Sequence, residues 1–134
     1  MATANIIYKG ELRTICMHLQ SGTEILTDAP TDNHGKGEAF SPTDLLATAL
    51  GSCMVSIMAI KSKDLEIDLK DSTVSVTKIM QSEPRKIAKI EVVLNMSVDA
   101  SDKNKTILER AAMTCPVLLS LHPDIQKEVS FNWK

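Results

Sequence analysis

Aromatic side chains are nearly missing from this sequence, which has one Trp, one Tyr and two Phe in 134 residues. A chain of this length can bury a core without metals or staples, so that core must be aliphatic, built from Leu, Ile, Val, Ala and seven Met. Basic runs are missing too: no stretch of Lys and Arg exceeds two residues, and the net charge is −2. This excludes the electrostatic footprint of a nucleic-acid binder or of a protein held on an anionic membrane. There is no CxxC, and His18, His34 and His122 are too scattered for zinc-ligand spacing. No metal site and no bound cofactor are expected. GxSxG, P-loop and GxGxxG patterns are absent as well, which removes the commonest hydrolase and nucleotide-binding signatures.

The opening MATANIIYKGELR lacks the continuous apolar stretch of a signal peptide. The longest apolar region, Leu45 to Ile60, is interrupted by Thr48, Ser52 and Ser56 and reads as too short for a bilayer. A cytoplasmic protein is therefore expected. Its three cysteines are an odd number, and in a reducing compartment they would not make a structural disulfide framework. With a metal site set aside, catalysis and plain packing remain as their uses.

No internal repeat or linker divides the chain, so one domain over 1–134 is expected. Residues 5–10, 12–20 and 23–28 have the composition of short strands, with Ser21-Gly22 as a hairpin turn. Residues 29–40 form a Gly/Asn/Asp/Pro loop, long for a compact domain and so a candidate for function. A helix then starts clearly: Ser41 fits the N-cap, Pro42 the first helical position, and Asp44 the acid of a capping box. Leu45, Leu46, Ala49, Cys53, Ile57 and Ile60 follow at helical spacing. Residues 72–81 and 88–98 alternate like strands around the turn Glu83-Pro84-Arg85. Asp102 opens a helix through Thr114, a short helical piece runs to His122-Pro123, and 127–133 alternates as a final strand. The order predicts an α+β fold with helices on mostly antiparallel sheets. A helix as apolar as 42–60 needs cover on more than one side, so a dimer that buries it is expected.

Cys53 lies about three turns into that helix, on or beside its apolar face. Packing as a small hydrophobe accounts for it. Reactivity would require a cation from elsewhere, because the helix dipole fades after the first turn. Cys115 has the more favourable local physics. Pro116 breaks the preceding helix, and Thr114 capping the next segment would leave Cys115 near a helix N-terminus, where thiol pKa values fall. The alternative is a cysteine that simply fills a kink. Cys16, among Ile15, Met17 and Leu19, reads as structural.

The run FSPTDLLATALGSC ending at Cys53, together with Met113-Thr114-Cys115-Pro116, resembles the OsmC/Ohr family, the osmotically inducible and organic hydroperoxide resistance proteins. The 62-residue cysteine spacing and the element order over essentially the whole chain are also similar. The resemblance implies the OsmC-like fold, with sheets around a long central helix in an intertwined homodimer. It implies that Cys53 is the peroxidatic cysteine and Cys115 the resolving one, the reverse of their local ranking. It also implies a thiolate-stabilising arginine, matched by Arg13, which precedes Gly22 by nine residues; an ordinary solvated strand arginine is the other reading. In well-characterised peroxidases of the family an acid directly follows the helix proline and pairs with that arginine. Here the position is Thr43 and the acid comes one residue later, as Asp44, a shift of about 100° around the helix. Asp44 is thus either a helix cap or the arginine's partner.

The activity implied is that of a thiol-dependent peroxidase, a peroxiredoxin-like oxidoreductase of oxidative stress that reduces organic hydroperoxides. Its partners would be the hydroperoxide and an external dithiol reductant, lipoyl-type or another small dithiol, with no nucleic acid and no membrane. The displaced acid keeps a second possibility open: a non-enzymatic redox sensor or small-molecule binding protein on the same fold.

Overall fold

The computed structural model describes residues 1–134. Strands β1 (Ala4–Gly10), β2 (Arg13–His18) and β3 (Glu24–Asp28) form one antiparallel sheet in that order. Helix α1 (Pro42–Asp64) follows, then β4 (Thr73–Gln81), β5 (Lys86–Asn95), helices α2 (Asp102–Ala112) and α3 (Pro116–Ser120), and β6 (Gln126–Asn132). The second sheet has the order β4-β5-β6. Its β4–β5 pair is antiparallel and its β5–β6 pair parallel, which is why α2 and α3 intervene: parallel neighbours need a crossover connection. The α+β class and the mostly antiparallel sheets agree with the sequence. Two compact units result, Met1–Leu45 and Leu46–Lys134.

In the first unit, Glu11 (φ 55°) and Leu12 (φ 63°) make the two-residue turn that joins β1 to β2. Positive φ at both positions matches the twist of a tight hairpin but strains a residue such as leucine. The loop after β3 folds back through hydrogen bonds from Asn33 and Gly35 N–H to the Pro30 carbonyl and from Gly37 N–H to that of Ala29. Only glycine fits at 35, since a Cβ there would lie 1.7 Å from the Ala29 carbonyl oxygen.

The second unit holds the aliphatic core. Leu50, Met54 and Met58 of α1, Ile90, Val92 and Leu94 of β5, and Leu108 of α2 are fully buried in it. The sequence assigns the apolar face of α1 to Leu45, Leu46, Ala49, Cys53, Ile57 and Ile60. The structure corrects this: the buried side chains are Ala47, Leu50, Gly51, Met54, Met58 and Ser62, while Leu46 and Ile60 are exposed. A helix apolar on nearly every side gives periodicity nothing to select. Close approach decides instead, because a Cβ at Gly51 would come within 2.6 Å of Val76 Cγ2 on β4. The helix is also longer than expected, at 23 residues, and its length and composition would suffice to cross a membrane. Shortness is therefore no argument against a span; the packing of Leu50, Met54 and Met58 into a mixed helix–sheet core is what such a core helix shows.

Candidate active site

Cys53 and Cys115, far apart in sequence, meet in the second unit. Cys53 is half-buried on α1 against the core, Cys115 is fully buried in the same core, and the two thiols are near enough for Cys53 to act on the titration of Cys115. All three cysteines are free thiols.

The helix ends explain how Cys115 is placed. The hydroxyl of Thr114 turns back to donate to the Ala111 carbonyl at 2.7 Å, which also accepts the Thr114 N–H at 3.0 Å where α2 ends. Thr114 is therefore not the cap of α3, contrary to the sequence expectation. Cys115 itself is the N-cap, extended at φ −65° and ψ 139°, and its sulfur accepts the Leu118 N–H at 3.3 Å. Pro116 occupies the first helical position, where its missing N–H costs nothing. The expectation that Cys115 has a lowered pKa is also corrected. Burial pushes the thiol up, the Leu118 N–H pulls it down, and the neighbouring Cys53 pushes it up again. Desolvation outweighs one short helix.

Arg13 and Asp44 belong to the first unit. Arg13 is clamped along one edge: Nε donates to Asp28 Oδ1 at 2.7 Å and Nη2 to Asp28 Oδ2 at 2.8 Å. Nη2 also reaches the exposed Glu38 Oε1 at 3.2 Å. Asp28 is buried and accepts the Glu38 N–H at 3.1 Å. Hydrogen bonds from Arg13 hold its carboxyl below the usual range, against the opposing effect of burial, and in turn hold the Arg13 guanidinium above its own. Asp44 closes a capping box: its N–H donates to Ser41 Oγ, and its Oδ2 accepts the Ser41 N–H, both at 3.0 Å.

Sequence reasoning missed Asp28 and Glu38. The signal for Asp28 was available, since a hairpin turning at Ser21-Gly22 sets Arg13 opposite Asp28 across β2 and β3. Glu38 comes from the loop and has no such register. Among clusters of His, Cys, Asp and Glu, none gathers three or more members in a metal-binding arrangement.

The family model described as OsmC-like protein matches residues 35–130. A crystal structure of a candidate osmotic stress induced and detoxification response protein from Psychrobacter arcticus 273-4 is 49% identical, with a TM-score of 0.95 over 98% of this chain and 96% of that one. Two more distant structures share the fold. The organic hydroperoxide resistance protein OsmC of Legionella pneumophila is 15% identical, with a TM-score of 0.76 over 98% of each chain. An organic hydroperoxide resistance protein of Elizabethkingia anophelis is 15% identical, with a TM-score of 0.70 over 100% of this chain and 98% of that one. The comparison with curated proteins finds no match.

Proposed function

The chain belongs to the OsmC-like protein family, and on that basis we propose that it is a thiol peroxidase that reduces organic hydroperoxides. One observation carries the proposal: two cysteines 62 residues apart in sequence come together at one core, near enough for Cys53 to act on the Cys115 thiol. The Cys53 thiolate attacks the hydroperoxide oxygen, the O–O bond breaks, and the alcohol leaves with a proton, so that Cys53 becomes a sulfenic acid. The Cys115 thiol then displaces the sulfenic oxygen as water and closes a disulfide. The two electrons delivered to the peroxide come from the thiol pair, and an external dithiol, lipoyl-type or similar, restores them. Arg13 is the group proposed to stabilise the Cys53 thiolate, with Asp44 acting first as a helix cap and only secondarily as a partner for that arginine. The aliphatic and Met-rich setting of α1 favours organic hydroperoxides over hydrogen peroxide.

The proposal extends to the protein's context. It places a single-domain chain in the cytoplasm as a homodimer, away from nucleic acid and membrane, with neither metal nor bound cofactor. The dimer has its own support, because Ile6, Ile7, Ile25 and Leu26 are large apolar residues left uncovered on the first sheet. An interface that covers them should be of obligate size, above roughly 2,000 Å² in total.

A second reading, a redox sensor on the same fold, draws on a specific observation: two carboxylates already compensate the charge of Arg13. Steady-state consumption of cumene hydroperoxide against hydrogen peroxide, with a dithiol reductant, decides between them. Multiple turnovers with a preference for cumene hydroperoxide are expected. A single stoichiometric oxidation without turnover would leave the sensor.

A further inference from the structure

Cys115 does two things with one sulfur atom. It lies within reach of Cys53, and it is the acceptor that starts α3. Both the Leu118 N–H, at 3.3 Å, and the Val117 N–H are directed at that sulfur. Helix α3 has only five residues, and beyond this cap it holds its start through the Leu119 N–H to the Cys115 carbonyl at 3.1 Å. Its inward side chains, Val117 and Leu118, pack on the core, while Leu119 is 72% exposed. The helix is too short to be stable alone, and a cap is a large share of what holds it.

We propose that the Cys115 sulfur is a redox-dependent helix cap: as a thiol it holds the first turn of α3, and in the Cys53–Cys115 disulfide it lets that turn loosen. The disulfide is the one formed in the proposed reaction, so the inference rests on that chemistry. The physical reasons are geometric and electronic. An S–S bond of about 2.05 Å with a dihedral near 90° dictates where the sulfur sits, which draws it toward α1 and away from the two amides. A disulfide sulfur also carries a second sulfur where the thiol had a freely rotating hydrogen, so its lone pairs can no longer turn to meet the two amides. The Leu118 amide then loses its acceptor, and Val117 and Leu118 are held less firmly against the core. The oxidised protein would thus present an altered α3 surface beside the disulfide, a difference that an incoming dithiol would meet at the bond it must reduce.

Amide hydrogen exchange of the full chain tests this in three forms: reduced, oxidised by cumene hydroperoxide, and oxidised by diamide, which takes the two thiol hydrogens without any peroxidase chemistry. Mass spectrometry confirms the disulfide by the loss of two hydrogens. The Leu118 amide should exchange about fivefold faster in the disulfide form, the size of one lost N-cap, while the Ile90 amide in β5 is unchanged. Cys115→Ser keeps a capping oxygen and cannot form the bond, so its Leu118 exchange should not respond to peroxide. Unchanged Leu118 exchange in a confirmed disulfide overturns the proposal. So does failure of diamide to close the Cys53–Cys115 bond in the folded protein, or acceleration in Cys115→Ser. If peroxide fails to form the disulfide while diamide succeeds, the peroxidase assignment falls, and the cap is still judged by the diamide arm.

Discussion

The two units bury opposite kinds of side chain. In the first, every fully buried residue is polar: Thr27, Asp28 and Ser41. In the second, the buried set is Leu, Ile, Val, Met, Ala and Cys115, with Gly51 and Ser62 as the exceptions. Burial of apolar area is the main favourable term in folding, so the second unit carries a core of its own. The first is held by hydrogen bonds and an ion-pair clamp, with its large apolar side chains still outside. Such a sheet is incomplete by itself. The contrast also separates the chemistry, since the thiol pair sits in the aliphatic unit and the arginine in the polar one.

The largest effect expected is on turnover. Cys53→Ser should lower steady-state peroxide reduction by on the order of a thousandfold or more, because no other group supplies the nucleophile, and sulfenic acid labelling should vanish. Cys115→Ser should still oxidise once and accumulate the sulfenic acid at Cys53. Labelling that appears first at Cys115 would reverse the assigned order of the thiols. Arg13→Ala carries the same test into the first unit, where slower alkylation of Cys53 near neutral pH is expected with the fold intact. An unchanged alkylation rate would remove Arg13 from the chemistry.

Stability measurements sharpen the contrast in burial. Leu50→Ala, in the centre of the second unit's core, should cost about 2–5 kcal/mol in denaturant unfolding. Ile7→Ala should cost well under that if Ile7 is as open in solution as its 58% exposure implies. Equal costs would mean that Ile7 is covered by a second copy, as the proposed homodimer requires. Ile7→Lys should then convert a particle of twice 14.7 kDa into a monomer, visible by light scattering.

The pH dependence of stability should have two limbs, one from each unit. Arg13 lowers the Asp28 pKa, so the folded state gains stability above the ordinary Asp value of about 3.9 and loses it as pH falls through the lowered one. Burial raises the Cys115 pKa. That contribution is present below the free-thiol value of about 8.5 and is lost as pH rises through the raised one. In thermal melts of the reduced protein, Asp28→Asn should flatten the acid limb and Cys115→Ala the alkaline limb. An acid limb that survives Asp28→Asn would show that other carboxylates carry it.

What was legible in the sequence follows the same division. Strand alternation, the Ser41–Asp44 capping box and the break at Pro116 are local signals, and each element they predict is present with small shifts at its ends. The meeting of Cys53 with Cys115 came only from family resemblance, because contact across such a sequence separation leaves no local trace. The buried face of α1 was misread because apolar residues fall on nearly every side of it, and the decision lay in how closely Gly51 lets β4 approach. The Thr114 cap was misassigned for a different reason: two adjacent residues compete for it, and the hydroxyl is taken by the end of α2. Burial, which sequence spacing does not report, reversed the expected shift of Cys115.

Asp44→Asn has the smallest expected effect and separates two roles for one acid. In the capping box the side chain accepts the Ser41 N–H, and Asp44 N–H donates to the Ser41 hydroxyl. Asparagine retains an acceptor oxygen at the same reach, so the first bond survives without its charge and the second is untouched. The loss of stability should therefore be well below about 1 kcal/mol, less than the removal of a cap. Arg13, for its part, is held on two nitrogens by Asp28, so its orientation has a support other than Asp44. Turnover of cumene hydroperoxide should then change by less than about twofold, since the cap, which asparagine preserves, is the role assigned to the acid. A drop of tenfold or more in turnover, at an unchanged melting temperature, would show that the charge of Asp44 acts on the chemistry. The acid one residue beyond Thr43 would then be serving as the arginine's partner during the reaction, and the clamp by Asp28 would describe only the resting state.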